Sequence, residues 1–172
     1  MTARLCSFAH IVIQLVYRQT RVILRSPLVY TFPFNARSEH SLSNPIVLIA
    51  EDDANTREIL RVMLEVYGYD VISAEDAMLA YGLLSTAHPD VIIVDLFMPD
   101  VDGIGLIRWI RANEEYRDTP IIAMTAGSEE ILTEALEMGA TATVKKPNDI
   151  SKLASIINGI LDKSKAATSE DA

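Results

Sequence analysis

Cysteine is almost missing from this chain. Cys6 stands alone among 172 residues, so no internal disulfide can form and no thiolate metal site can be assembled. A reducing compartment, the cytoplasm, is the expected setting. The three histidines, at positions 10, 40 and 88, are too scattered for a zinc motif. No apolar run is long enough to span a bilayer: Phe8 to Tyr17 is short, and Arg18, Arg21 and Arg25 interrupt its continuation. Val16-Tyr17-Arg18-Gln19 does not supply the small-residue cleavage site of a signal peptide. Positive charge is scarce over most of the length. Residues 45–172 carry ten basic against twenty-three acidic side chains, a net of −13. That balance excludes a basic face for nucleic acid and favours a cation, or a protein partner with a basic or apolar surface.

Residues 1–44 differ in kind, with five arginines against Glu39, a net of +4. They do not read as a folded domain, and their Arg-rich make-up only faintly suggests a transit peptide. A plainer reading treats residues 1–41 as an upstream stretch absent from the working protein. Leu42-Ser43-Asn44-Pro45 would be a natural beginning if Leu42 came from a TTG or CTG start codon. The intact mass of natively expressed protein tests that expectation.

From Pro45 the sequence alternates strand and helix. Ile46–Ala50, Tyr69–Ser73, Val91–Asp95, Pro120–Thr125 and 141–145 are short apolar runs of strand type. Helices are expected over residues 55–67, 74–87, 103–113, 128–138 and 150–162. In the first, Ile59, Leu60, Met63, Leu64 and Tyr67 share one side at helical spacing. Gly68 and Gly139 are stops, Ser128 is a candidate cap, and residues 163–172 form a polar tail expected to be disordered. Five β-α units with short loops mean a parallel sheet with helices on both faces, one domain of about 120 residues.

Parallel topology gathers the carboxyl ends of the strands at one edge, where α/β proteins place their chemistry. Glu51 and Asp52 arrive there from the first strand, Asp95 from the third, Thr125 from the fourth and Lys146 from the fifth. Converging acids repel and raise one another's pKa values, and a hard divalent cation such as Mg²⁺ relieves this. Lys146 and Thr125 could hold phosphoryl oxygens while Asp95 attacks phosphorus, forming an acyl phosphate. Taken singly, each piece has a plainer reading. Glu51-Asp52-Asp53 is ordinary N-terminal helix charge, Thr125 a strand end, Lys145-Lys146 a solvated pair, and Asp100 and Asp102-Gly103 turn chemistry.

The joint pattern resembles the receiver domain of two-component response regulators. It includes Glu51-Asp52-Asp53 after strand one and the loop Asp95-Leu96-Phe97-Met98-Pro99-Asp100-Val101-Asp102-Gly103, in which every fixed position of D-x-x-M-P-x-x-D-G is met. Thr125-Ala126 after strand four and Lys146-Pro147 after strand five complete it. The resemblance covers about Pro45 to Leu161 and implies a flavodoxin-like sheet of order 2-1-3-4-5. It implies that Asp95 is the phosphoacceptor and that Asp52 is a direct Mg²⁺ ligand. Glu51 would act through water and the Phe97 carbonyl would complete the protein ligands. Thr125 and Lys146 would bind the phosphoryl group, with a cis Pro147, and Asp53 would start the helix. The implied phosphodonor is a sensor histidine kinase or histidine phosphotransfer protein, and the implied output is a phosphorylation-dependent protein contact through the face of helix four, strand five and helix five. No effector domain follows the motif set, which reads as a stand-alone receiver, a monomer or a phosphorylation-dependent dimer, without nucleic-acid or membrane binding.

Two positions depart from the pattern or modify it. Thr143 stands where many receivers carry Tyr or Phe, so the signal is expected to pass through the strand-four to helix-four segment. Phe97 and Gly127, two residues after Asp95 and Thr125, cannot hold a water in line with phosphorus, which implies slow hydrolysis. The rival classes are weaker. A haloacid-dehalogenase-type phosphatase normally has an acid where Phe97 stands. A structural, non-phosphorylated receiver-like domain would normally have lost one of Asp52, Asp95, Thr125 or Lys146. A flavodoxin would need a phosphate-cradling loop in place of Glu51-Asp52-Asp53.

Overall fold

The computed structural model describes residues 44–146 and 150–170. The expectations for residues 1–43, for Pro147 and for 171–172 fall outside them. The elements are β1 (Ile46–Ala50), α1 (Ala54–Val66), β2 (Asp70–Ala74), α2 (Ala77–Ala87), β3 (Val91–Asp95), α3 (Gly103–Ala112), β4 (Ile121–Thr125), α4 (Glu129–Glu137), β5 (Ala142–Lys145) and α5 (Ile150–Glu170). The five strands form one sheet in the order β2-β1-β3-β4-β5, all pairs parallel. This is the doubly wound arrangement anticipated.

The side-chain period of two explains how one sheet serves two cores. Leu48, Ala50, Ile92, Val94, Ile121 and Ala123 point to one face, where they meet Ala80 and Leu84 of α2, Leu106 and Ile107 of α3, and Leu132 and Ala135 of α4. Val47, Ile49, Val91, Ile93, Ile122 and Met124 point to the other, against Leu60 and Leu64 of α1 and Leu153 and Ile157 of α5. Every residue of β3 is buried, so the strand that ends in Asp95 is held from both sides.

Aspartates start three of the helices. The carboxylates of Asp53, Asp76 and Asp102 accept from the backbone N–H groups of Thr56, Leu79 and Gly105, each at 2.7 Å. Gly68 (φ 87°) and Gly139 (φ 107°) follow α1 and α4 in the left-handed region where glycine is unstrained.

Four expectations change. Helix α2 begins at Ala77, because Ala74 still pairs with Ala50 and Asp76 supplies the cap. Ser128 takes the N-cap position of α4 without a side-chain cap bond, and the first turn relies on Glu129 and Glu130. The hydroxyl of Ser128 instead holds the Glu130 carboxyl below its ordinary range. Helix α5 runs to Glu170 where a disordered tail from 163 was expected; Lys163, Lys165, Ala166 and Ala167 are good helix formers. In α1 only Leu60 and Leu64 are buried. Ile59, Met63 and Tyr67 lie with Val62 and Val66 (77% exposed) on an outward apolar stripe. An i, i+4 pair is enough to seat a helix on this sheet, so the wider set could not all turn inward.

Candidate functional site

Because β1, β3, β4 and β5 are neighbours in the sheet, their last residues share one edge. Glu51 follows β1 and is 3% exposed; Asp95 closes β3 at 6%; Thr125 closes β4 at 0%. These are the buried polar or charged side chains of the described residues. Lys146 comes directly after β5, and its backbone N–H donates to the carbonyl of Thr125 at 2.7 Å, extending the β4–β5 pairing by one residue.

The ammonium of Lys146 lies between two carboxylates, 2.6 Å from Glu51 Oε2 and 2.9 Å from Asp95 Oδ2. Such a pair forms only where the charges neutralise one another, since an unpaired buried charge is strongly unfavourable. Burial pushes the Glu51 carboxyl above its ordinary value. The hydrogen bond from Lys146 opposes that shift, and the charge of Asp95 adds to it. Burial works against the Lys146 ammonium too, but its bonds to Glu51 and Asp95 outweigh this and raise its pKa.

Glu51, Asp52 and Asp95 each offer a carboxylate oxygen, and these oxygens lie within 4.8 Å of one another. Three hard oxygens around one small space, carrying more negative charge than one ammonium can balance, suit a Mg²⁺-type cation. Asp52 is exposed, which leaves an open approach. Asp95 Oδ1 accepts from the Phe97 backbone N–H at 3.3 Å, fixing the start of the loop that would present the Phe97 carbonyl. The Thr125 hydroxyl is at the same edge but accepts from Gly127 N–H at 2.9 Å. Thr143 is half-buried on β5, paired with Ala123. Asp53 caps α1, as its position implied.

Three supporting residues are not evident from sequence. Arg57, one turn into α1, donates to the carbonyls of Glu51 (2.6 Å) and Asp52 (3.1 Å) and so ties down the acidic loop. No short-range pattern marks it. Gly103, in a turn-type Asp-Gly pair, is the first residue of α3, where a helix was expected to begin. A methyl group there would stand 2.2 Å from the Asp95 carbonyl oxygen. Its backbone is packed against the main chain of Asp95 and Leu96. Gly127 stands out in the sequence only for lacking polarity. A methyl group on it would meet Phe97 Cε2 at 2.7 Å, so the Phe97 ring fills the empty side of that glycine.

A flavodoxin-like sheet with a lysine-bridged acidic edge defines the receiver class. Residues 47–158 match the family model described as the response regulator receiver domain, and the chain belongs to that family. Receiver domains of this family are phosphoacceptor signalling domains that bind Mg²⁺ at an acidic pocket. The chain is 31% identical over 119 residues to the polar-differentiation response regulator DivK of Brucella ovis, covering 67% of this chain and 94% of DivK. It is 34% identical over 125 residues to the phosphate regulon transcriptional regulatory protein PhoB of Pseudomonas aeruginosa, covering 72% of this chain and 55% of PhoB. The chain thus spans about half the length of several curated relatives it matches. Among solved structures, the receiver domain of the Francisella response regulator 1452 superposes with a TM-score of 0.66 at 33% identity. That match covers 70% of this chain and 99% of the other. Vibrio cholerae CheY4 superposes at 0.65 and 29% identity, covering 69% and 99%. Among the described residues no helix is long and apolar enough to cross a membrane.

Proposed function

We propose that Asp95 accepts a phosphoryl group from a phosphohistidine of a sensor histidine kinase or histidine phosphotransfer protein, and that the phosphorylated domain binds a protein partner differently. A carboxylate oxygen of Asp95 forms the new bond to phosphorus. The P–N bond of the donor breaks, its electron pair returns to the imidazole, and an acyl phosphate results. Mg²⁺, held by Asp52 directly, by Glu51, by Asp95 and by the Phe97 carbonyl, would supply positive charge for the phosphoryl oxygens. Lys146, already 2.9 Å from Asp95 Oδ2, stays close enough to pair with the transferred group. The Thr125 hydroxyl turns from Gly127 toward a phosphoryl oxygen. Phosphorylation adds about −1.5 to −2 charge, which Thr125 and Lys146 register and which biases the surface between two states.

The observation that carries this reading is the half-buried Lys146 after β5, bridging the buried carboxylates of Glu51 and Asp95 at the ends of the neighbouring strands β1 and β3. A phosphatase of the haloacid-dehalogenase type has less support, because the residue two after Asp95 is Phe97, with no carboxylate to serve as acid or base. Intact mass after incubation with Mg²⁺ and acetyl phosphate tests the proposal. One labile phosphoryl addition to the wild type, absent from Asp95→Ala, is expected. No addition to either protein would leave a non-phosphorylated interaction domain as the better reading.

A further inference from the structure

Four residues at the ends of β3 and β4 and in the loops that follow form a circuit of contacts running from Asp95 to Thr125. Asp95 Oδ1 takes the N–H of Phe97 (3.3 Å), the Phe97 ring lies on Gly127, and Gly127 N–H is bound by Thr125 Oγ1 (2.9 Å). We propose that the Phe97 ring seated on Gly127 is a positioning contact that carries the state of Asp95 to the start of α4. The inference rests on the phosphoacceptor reading and adds the route by which the signal leaves the site.

Three observations support it. The ring is 56% exposed, so core burial does not hold it; its seat is the space left by the missing side chain at 127. The backbone of Gly127 lies outside the left-handed region, unlike Gly68 and Gly139, so conformation does not call for a glycine there. What the missing side chain leaves is room for the ring, and a methyl group there would push the ring aside. Gly127 is also separated from α4 by Ser128 alone. The first residue of that helix, Glu129, forms an ion pair with Lys145 at 3.0 Å, next to Lys146.

The circuit has two arrangements. In one, the Thr125 hydroxyl oxygen accepts from Gly127. In the other, that hydroxyl has rotated to donate to a phosphoryl oxygen, and Gly127 N–H needs a new acceptor, because an unsatisfied backbone donor is costly. The phosphoryl group also alters the Asp95–Phe97 hydrogen bond. Both ends of the ring contact therefore change in the same event, and the ring links the displacement of the β3–α3 loop to that of residues 126–129.

The test uses beryllofluoride with Mg²⁺, a stand-in for the acyl phosphate, and backbone amide NMR of the full chain. In the wild type the amides of Asp95–Phe97 and of Gly127–Glu129 should shift on saturation. In Phe97→Ala, and in Gly127→Ala, whose methyl group displaces the ring, the shifts at 127–129 should fall by about threefold. In each variant the shifts at Asp95 and Leu96 report that beryllofluoride is bound, and Phe97→Tyr should restore the response at 127–129. Equal shifts at 127–129 in saturated wild type and Phe97→Ala would overturn the inference alone. No response of the Asp95 loop in the wild type would overturn the phosphoacceptor reading, and this inference with it.

Discussion

Replacing Gly103 with alanine probes how tightly the strand that ends in Asp95 is fixed. The added methyl group would stand 2.2 Å from the Asp95 carbonyl oxygen, 2.7 Å from Leu96 Cα and 2.9 Å from the Asp95 carbonyl carbon. All three are backbone atoms, and Asp95 belongs to a strand buried on both faces, so none can swing aside. Overpacking of this type costs about 1–3 kcal/mol, with the upper end expected where backbone must move. Gly82 provides the control. It sits inside α2 with nothing within 4 Å of a new methyl group, so Gly82→Ala gains only helix propensity, about 1 kcal/mol. The two substitutions are the same chemically and should differ by about 3–4 kcal/mol in opposite directions. Urea unfolding followed by circular dichroism measures this, with unchanged slope showing that stability alone has moved. Thermal midpoints should separate by about 10 °C or more. Phosphorylation from acetyl phosphate should slow in Gly103→Ala and stay at wild-type rate in Gly82→Ala. A Gly103→Ala protein as stable as the wild type, with the same slope, would refute the argument from close approach.

Other expectations concern the ion pairs and the Phe97 ring. Lys146→Met leaves Glu51 and Asp95 facing each other without a counter-charge, and should cost about 3 kcal/mol at neutral pH. The raised pKa of Glu51 means that protonating it relieves the repulsion, so the deficit against wild type should shrink as pH falls from 7 toward the ordinary carboxylate range. The raised pKa of Lys146 gives the complementary limit. Its contribution in the wild type is full below the unfolded lysine value and is lost only as pH rises through the folded one; parallel denaturation curves across pH would expose the opposite trend. Phe97→Asn should release phosphate faster than wild type, because a polar side chain could orient a water and a phenyl ring cannot; equal decay of the labelled acyl phosphate would count against this. Arg111→Ala removes donors from the carbonyls of Gly139 (2.9 Å), Arg117 (2.8 Å) and Thr119 (2.9 Å). It should destabilise by about 2–4 kcal/mol, read as a lowered urea midpoint.

The strands were legible because each is a run of β-branched or apolar residues bounded by turn residues, and β3 with β4 is buried along its whole length. Their convergence was legible too, since parallel order alone brings Glu51, Asp95, Thr125 and Lys146 to one edge. Interactions between loops were not. The seat of Phe97 on Gly127 joins residues with no common period, and nothing local distinguishes it from two ordinary loop positions. Gly103 is legible only as a helix start after an Asp-Gly pair, and the packed backbone alone shows that the glycine also serves a close approach. In α1, hydrophobicity on two adjoining faces exceeded what the sheet could cover, so periodicity placed five residues inward where Leu60 and Leu64 sufficed.

The strand order also decides where the counter-charge of the edge comes from. β3 is central, with β1 and then β2 on one side and β4 and then β5 on the other. The pairing of β1 with β3 brings Glu51 and Asp95 together, while Lys146 reaches them from the end of β5, the outermost strand on the other side. A sheet whose β5 is undocked would hold these acids without their lysine. Losing one edge strand thus costs the site its ammonium as well as the backbone pairing with β4.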